Sequence, residues 1–276
     1  MSREQLEYDR QYRSEHGSDR TRRRIAVLLA GVVGLLLCAL ALSNITEEGP
    51  ATRTIARSLA ILTEVDSLLD AEYEGFRERA SATNEEVVLT DFPVAVSFTA
   101  EDVLATDQAG FRELLLSRSA QRVYNDGASA LRDGRDPQVG FFSIEHVLRR
   151  GLEVLRPTPH RFFFGLTIAL AIGAFVLALG LALATRGYGR LLAIGLSVFL
   201  VATPFLALAI GLRFALGVAA DSVDDYLSQE FLQLGQELAW APVRNGIVFS
   251  AGATVLLGAA YALGRWTEKE ISSSSP

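Results

Sequence analysis

The sequence predicts an all-α membrane protein: four transmembrane helices, with an α-rich, minor-β extracytoplasmic domain inserted between helices 1 and 2. Three observations predict it. Four apolar stretches, 25–43, 162–185, 191–212 and 246–263, contain no Asp, Glu, Lys, Arg or His. Each is close to the roughly 20 residues that carry a helix across a hydrocarbon core of about 30 Å, and inside lipid only a helix satisfies its own backbone in such a run. The 276-residue chain is 50% apolar and also 21% charged, so its charges are segregated between the stretches. The 118 residues of 44–161 carry helical periodicities of their own.

Residues 1–24 form a polar tail of mixed charge, predicted to be disordered or loosely helical. The tail ends in a basic cluster, Arg20, Arg22, Arg23 and Arg24. The first stretch reads as an uncleaved anchor. Ala39-Leu40-Ala41 resembles a cleavage site, but the apolar run exceeds the roughly 7–15 residues of a signal core.

Within 44–161, Ile55, Leu59, Leu62, Leu69, Tyr73 and Phe76 recur at helical spacing and predict one amphipathic helix over 51–80, ended by Ser81–Asn84. Val87–Leu89 and the alternating Val94, Val96 and Phe98 predict one or two short strands. Thr99–Asp102 reads as a capped helix start. That helix turns Val103, Leu104, Phe111, Leu114, Leu115 and Leu131 to one side, and Asp133–Pro137 is a loop. A last helix starts at Ser143, carries Ile144, Val147, Leu148, Leu152 and Leu155, and stops at Pro157 and Pro159.

Residues 186–190 make a tight turn around Gly187 and Gly189. In 213–245, Val223, Leu227, Phe231, Leu234 and Leu238 predict an amphipathic helix, lying on the membrane surface or packed on the 44–161 domain. Trp240 suits an interface and Pro242 ends that helix. The tail 264–276 closes the chain.

Charge sets the threading. The tail 1–24 is net +2, 44–161 is −7, 186–190 is +2, 212–245 is −3 and 264–276 is neutral. The positive-inside rule then puts both termini and the 186–190 turn in the cytoplasm, and 44–161 and 213–245 outside a plasma membrane. Arg149, Arg150, Arg156 and Arg161 oppose this placement, but the rule discounts loops as long as 44–161.

Four side-chain groups are candidates for function or packing. Arg149, Arg150, Arg156 and Arg161, with His160, stand just before the second stretch, where they could hold anionic head groups or a phosphate. Asp221, Asp224 and Asp225, at helical spacing, are a weak cation site, a solvated helix N-terminus, or a dock for the arginine cluster. Ladders of small residues at four-residue steps predict close helix packing in a compact bundle. They are Ala26, Ala30, Gly34 and Cys38 in the first stretch, and Gly246, Ser250, Thr254, Gly258 and Ala262 in the fourth. Ala174, Ala178 and Ala182 and the run from Ala207 to Ala219 add shorter ones. Pro204 kinks the third helix.

Other functions find little footing. Spans free of Asp, Glu, Lys, Arg and His disfavour ion-coupled transport. One Cys and three His exclude a disulfide framework and a Cys-based zinc site. Phosphate-loop, zinc-protease and nucleophile-elbow motifs are missing. The reading is a non-enzymatic anchor, sensor or accessory subunit, with no cofactor and no nucleic acid. Its partners are membrane lipids and a second copy or another membrane protein. A lipid-handling protein and an oligomeric channel subunit are the alternatives. The layout is similar to that of tetraspanins and claudins, whose marker cysteines this chain lacks, so the similarity is one of layout alone.

Overall fold

The computed structural model describes residues 3–63, 65–83, 86–89, 92–130, 151 and 153–273. It is 88% helical, so the all-α class holds, and one two-residue strand pair is its only sheet among the described residues. Nine helices of the described residues are α1 (Arg3–Thr46), α2 (Glu48–Thr63), α3 (Val65–Thr83), α4 (Ala100–Leu104), α5 (Gln108–Asp126), α6 (Pro157–Ala184), α7 (Gly189–Ser222), α8 (Tyr226–Leu238) and α9 (Trp240–Ser273). Four are long and apolar enough to cross a membrane: α1 from Arg20, α6, α7, and α9 within the run Ser228–Trp266. The chain divides into two compact units. One takes Met1–Ala41, Phe163–Phe214 and Ala239–Pro276; the other takes Leu42–Phe162 and Ala215–Leu238.

The unit of long helices packs around Leu29, Val33, Leu37, Leu181 and Ala202. α7 and α9 run antiparallel. A Cβ added at Gly195 meets Leu256 and Leu257, and one added at Gly246 meets Leu206 Cβ at 2.9 Å and its Cα at 3.0 Å. Gly34 brings α1 close to α7, where an added Cβ lies 3.2 Å from Val201. α6 buries Leu181 alone and leaves most of its apolar surface open.

The ladders of small residues are only partly the seams. On α1, Ala26 packs into the core but Cys38 is exposed. On α9, Gly246 faces Leu206 and Ser250 is half-buried, whereas Thr254, Gly258 and Ala262 face outward. The buried positions of α9 are Val243 and Asn245 near its start and then Gly246, Ala253 and Ala260, the last three seven residues apart. At 100° per residue, a four-residue ladder drifts about 40° round the helix at every step, whereas a seven-residue repeat nearly holds its face.

The ends of these helices are fastened by side chains. Thr185 Oγ1 donates to Leu181 O at 2.8 Å, Arg22 Nε to Ala184 O at 2.6 Å and Arg190 Nε to Thr185 O at 3.0 Å. Arginines here satisfy carbonyls that the end of α6 leaves open, with their charge at the negative pole of the helix dipole. Gly187 (φ 59°) then turns the chain in a backbone region that side chains disfavour.

One boundary decides between two expectations, and two differ from expectation. α1 begins at Arg3, so of the two states expected for the tail, disordered or loosely helical, most of it is helix continuous with the first span. α7 continues ten residues beyond Leu212 to Ser222. Arg213 does not stop it, because its guanidinium lies 4.7 Å from the ring centre of Trp240, where a cation is favoured. Pro242 does not end a helix. It sits in the first turn of α9, where its missing N–H costs nothing.

The second unit closes over an aromatic core. Phe111, wholly buried, has its ring centre 4.9 Å from that of Phe98, 5.8 Å from Tyr73 and 6.3 Å from Phe76. Val87–Val88 pairs antiparallel with Ser97–Phe98, in the register Val87 to Phe98. The helix expected over 51–80 is met by α2 and α3, helical at every described residue of that range; residue 64 lies outside the described residues. The helix expected from Thr99 is two. Thr99 caps α4 in a full capping box with Asp102, and Asp107 then caps α5. The break leaves Leu104 exposed rather than in the core. Asp102 also binds Arg118 at 2.8 and 2.9 Å, which holds its carboxyl below the ordinary carboxylate range. Leu131, the loop 133–137 and the helix start at Ser143, with its apolar residues through Leu152, lie outside the described residues.

Candidate functional site

The second unit contains two polar clusters, and both join distant parts of the sequence. The first surrounds Thr46, the last residue of α1, which is fully buried. Its hydroxyl donates to Leu42 O at 2.8 Å, satisfying a carbonyl that the helix end leaves open. His160, in the first turn of α6, brings Nδ1 within 3.3 Å of Thr46 Oγ1 and 3.2 Å of Ser43 O. A bond to Ser43 O requires the proton on Nδ1. Tyr124 of α5 completes the cluster, its hydroxyl donating to Thr46 O at 3.4 Å. Burial raises the Tyr124 pKa, and the charges of Glu48 and Glu47 raise it further against a smaller opposing effect of Arg161. The phenol stays a neutral donor at physiological pH.

The predicted arginine cluster meets this region in part. Arg149 and Arg150 lie outside the described residues. Arg156 is half-buried and folds over Gly127, so that a Cβ added there would stand 2.9 Å from its Cδ and Nε. Gly127 has φ 67°, so a glycine is favoured there on both counts. Arg161 is exposed and its charge is felt at Tyr124. His160 therefore joins the end of α1 to the start of α6, and Arg156 is turned against its own unit.

The second cluster fastens α8 to α2. Arg57, on α2, donates from Nη1 to Glu237 Oε1 at 2.5 Å and from Nη2 to Glu230 Oε2 at 3.2 Å. Gln233 Oε1 stands 3.5 Å from Nη2. Glu230, Gln233 and Glu237 fall at i, i+3 and i+7, one polar stripe of α8. The hydrogen bond that Arg57 donates to Glu237 raises its pKa most, and that to Glu230 adds to it, against the opposing effect of burial. Behind the clamp, α8 folds back on the end of α7. Gly235 lies against Leu216, and a Cβ added at Gly217 would stand 2.9 Å from Gln236 Nε2.

The aspartates do not form the expected helical face. Asp221 lies in the last turn of α7, Asp224 and Asp225 lie in the break between α7 and α8, and all three are exposed. Asp225 caps α8, its Oδ2 accepting from Ser228 N at 3.0 Å and Ser228 Oγ at 2.7 Å. Among the described residues, no three His, Cys, Asp or Glu side chains come together to hold a metal. Sequence reasoning expected a dock but assigned it to these aspartates and the arginine cluster. Arg57 went unnoticed, although the acidic stripe it meets was readable on α8.

A partly exposed clamp of this kind contributes only about 0–1 kcal/mol. Arg57→Ala therefore loosens α8 modestly and in a salt-dependent way. Arg57→Glu sets three like charges together, and hydrogen exchange over 226–238 should rise clearly above wild type at low salt. Unchanged exchange in both variants would mean that apolar contacts alone hold α8.

No family model matches this chain, and no curated protein or solved structure matches it either. Its four membrane-length helices fit a multi-pass membrane protein.

Proposed function

We propose that the chain is a non-enzymatic multi-pass protein of the plasma membrane, an anchor, sensor or accessory subunit whose second unit binds a partner outside the cell. Both termini are cytoplasmic in this reading. The observation that carries it is the make-up of the second unit. With four spans, 44–161 and 213–245 fall on the same side by alternation alone, and these are the stretches that supply its residues and share the Arg57 clamp. The charge distribution supports the outward side. The lipid-handling alternative loses support because Arg156 is turned onto Gly127, and the transport alternative because the apolar stretches hold no Asp, Glu, Lys, Arg or His.

The test is site-specific photocrosslinking in native membranes, with the probe at exposed Glu78 or Ser81 of α3. The reading predicts one discrete adduct, to a second copy or to a single partner. An absence of adducts, together with a monomeric mass after gentle solubilisation, would contradict it.

A further inference from the structure

The geometry points to an anionic phospholipid bound along the outward face of α1, with its phosphate at Arg20, Arg23 and Arg24 and an acyl chain on Val27 and Leu28. This rests on the membrane reading above. It concerns the arginines of the N-terminal basic cluster, not Arg149, Arg150, Arg156 and Arg161.

Residues 20, 23, 24, 27 and 28 share one face of a helix, since three- and four-residue steps return to the same side. They line an open groove of about 570 Å³. All three arginines are exposed, and none makes an ion pair among the described residues. The nearby acid Asp19 leaves the stretch 19–24 at net +3. Arg22 points elsewhere, donating to Ala184 O. The basic stripe thus consists of the arginines not used to fasten the bundle.

The apolar continuation decides the ligand. Val27 is 64% exposed, Leu28 57% and Leu35 61%, and a Cβ added at Gly31 meets nothing. The opposite face holds Leu29, Val33 and Leu37 in the core. One side of α1 therefore presents three guanidinium groups and then an open apolar track along the same helix. From Ile25 to Thr46 there are 22 residues without a charge, a helical length of about 33 Å. That matches a hydrocarbon core and sets Arg24 at head-group depth, with Arg20 and Arg23 just beyond it. Guanidinium groups match phosphate oxygens in geometry as well as charge. A soluble phosphate would leave Val27 and Leu28 unused, and an acidic protein segment would find apolar side chains where it needs charge partners.

The full chain, purified in detergent, is titrated with dioleoyl phosphatidylglycerol, dioleoyl phosphatidylcholine and inorganic phosphate, and bound lipid is counted by native mass spectrometry. Phosphatidylglycerol should be retained over phosphatidylcholine, with no competition from millimolar phosphate. Each of Arg20→Gln, Arg23→Gln and Arg24→Gln should weaken retention about fivefold, and the triple variant about 100-fold. Arg77→Gln, a charge removed from α3, should leave it unchanged. Helix content by circular dichroism checks the fold, and the single variants stand in if the triple one fails to fold. Wild-type retention in all arginine variants, equal retention of phosphatidylcholine, displacement by inorganic phosphate, or tighter binding of a hexaglutamate peptide would each overturn the proposal. Failure of the membrane reading is seen separately, as release of the chain from membranes by alkaline carbonate.

Discussion

Phe111→Ala is expected to destabilise the second unit by about 3–5 kcal/mol, the largest effect of any single substitution considered for that unit. The ring is wholly buried and touches three rings from two other segments: Tyr73 and Phe76 on α3 and Phe98 on the second strand. Removing it loses the transfer free energy of the side chain and leaves a cavity that α3, a strand and α5 cannot all move to fill. The neighbouring rings also lose tilted contacts, each worth about 0.5–1.5 kcal/mol. Hydrogen exchange in nanodiscs reads the result. Protection should fall together across 48–83 and 100–126, because α2, α3 and α5 share this core. A loss confined to α5, or below about 1 kcal/mol, would mean that the aromatic cluster does not organise the unit.

Gly246→Leu is expected to destabilise the helix bundle, and Gly258→Leu to leave it nearly unchanged. An added Cβ at Gly246 already stands 3.0 Å from the backbone Cα of Leu206, so a larger side chain forces α7 and α9 apart. Overpacking of this kind costs about 1–3 kcal/mol. At Gly258 an added Cβ meets nothing within contact distance, and its position faces outward. Thermal unfolding in mild detergent separates the two variants. Equal effects would favour the four-residue ladder that treats both glycines alike; a large effect at Gly246 alone supports the seven-residue seam.

The existence of the long helices was legible because the bilayer is a blunt selector. A run without ions and of the right length has few other fates, and 25–43, 162–185, 191–212 and 246–263 each fall on a helix long enough to cross, with Thr185 alone one residue past the end of its helix. Their ends were less legible. Arg213 reads as the edge of a span, but a long side chain can rest on Trp240 while the helix continues. Pro242 reads as a stop, but at the first turn of a helix it is a start. The capped turn at Thr99 and the strand pair were readable because both depend on residues close in sequence. The break between α4 and α5 was signalled by Asp107, a good cap that the unbroken apolar pattern hid.

The joints between distant segments were the hardest to read. The acidic stripe of α8 follows from its own spacing, but its partner Arg57 lies 173 residues before Glu230. Nothing local distinguishes that arginine from Arg53 beside it. The aspartates at 221, 224 and 225 drew attention because they are adjacent, yet adjacency across a helix break puts them on no common face. The same limit applies to His160, whose partners Ser43 and Thr46 lie 117 and 114 residues earlier.

The most direct test of the central claim is compartment-specific labelling of single cysteines, with Cys38 replaced by Ser, at exposed Ser81, Tyr226 and Tyr188. Intact cells treated with a membrane-impermeant maleimide should label positions 81 and 226, and leave position 188 unlabelled until the membrane is opened. Labelling of 81 and 188 from the same side would contradict four crossings and the account built on them.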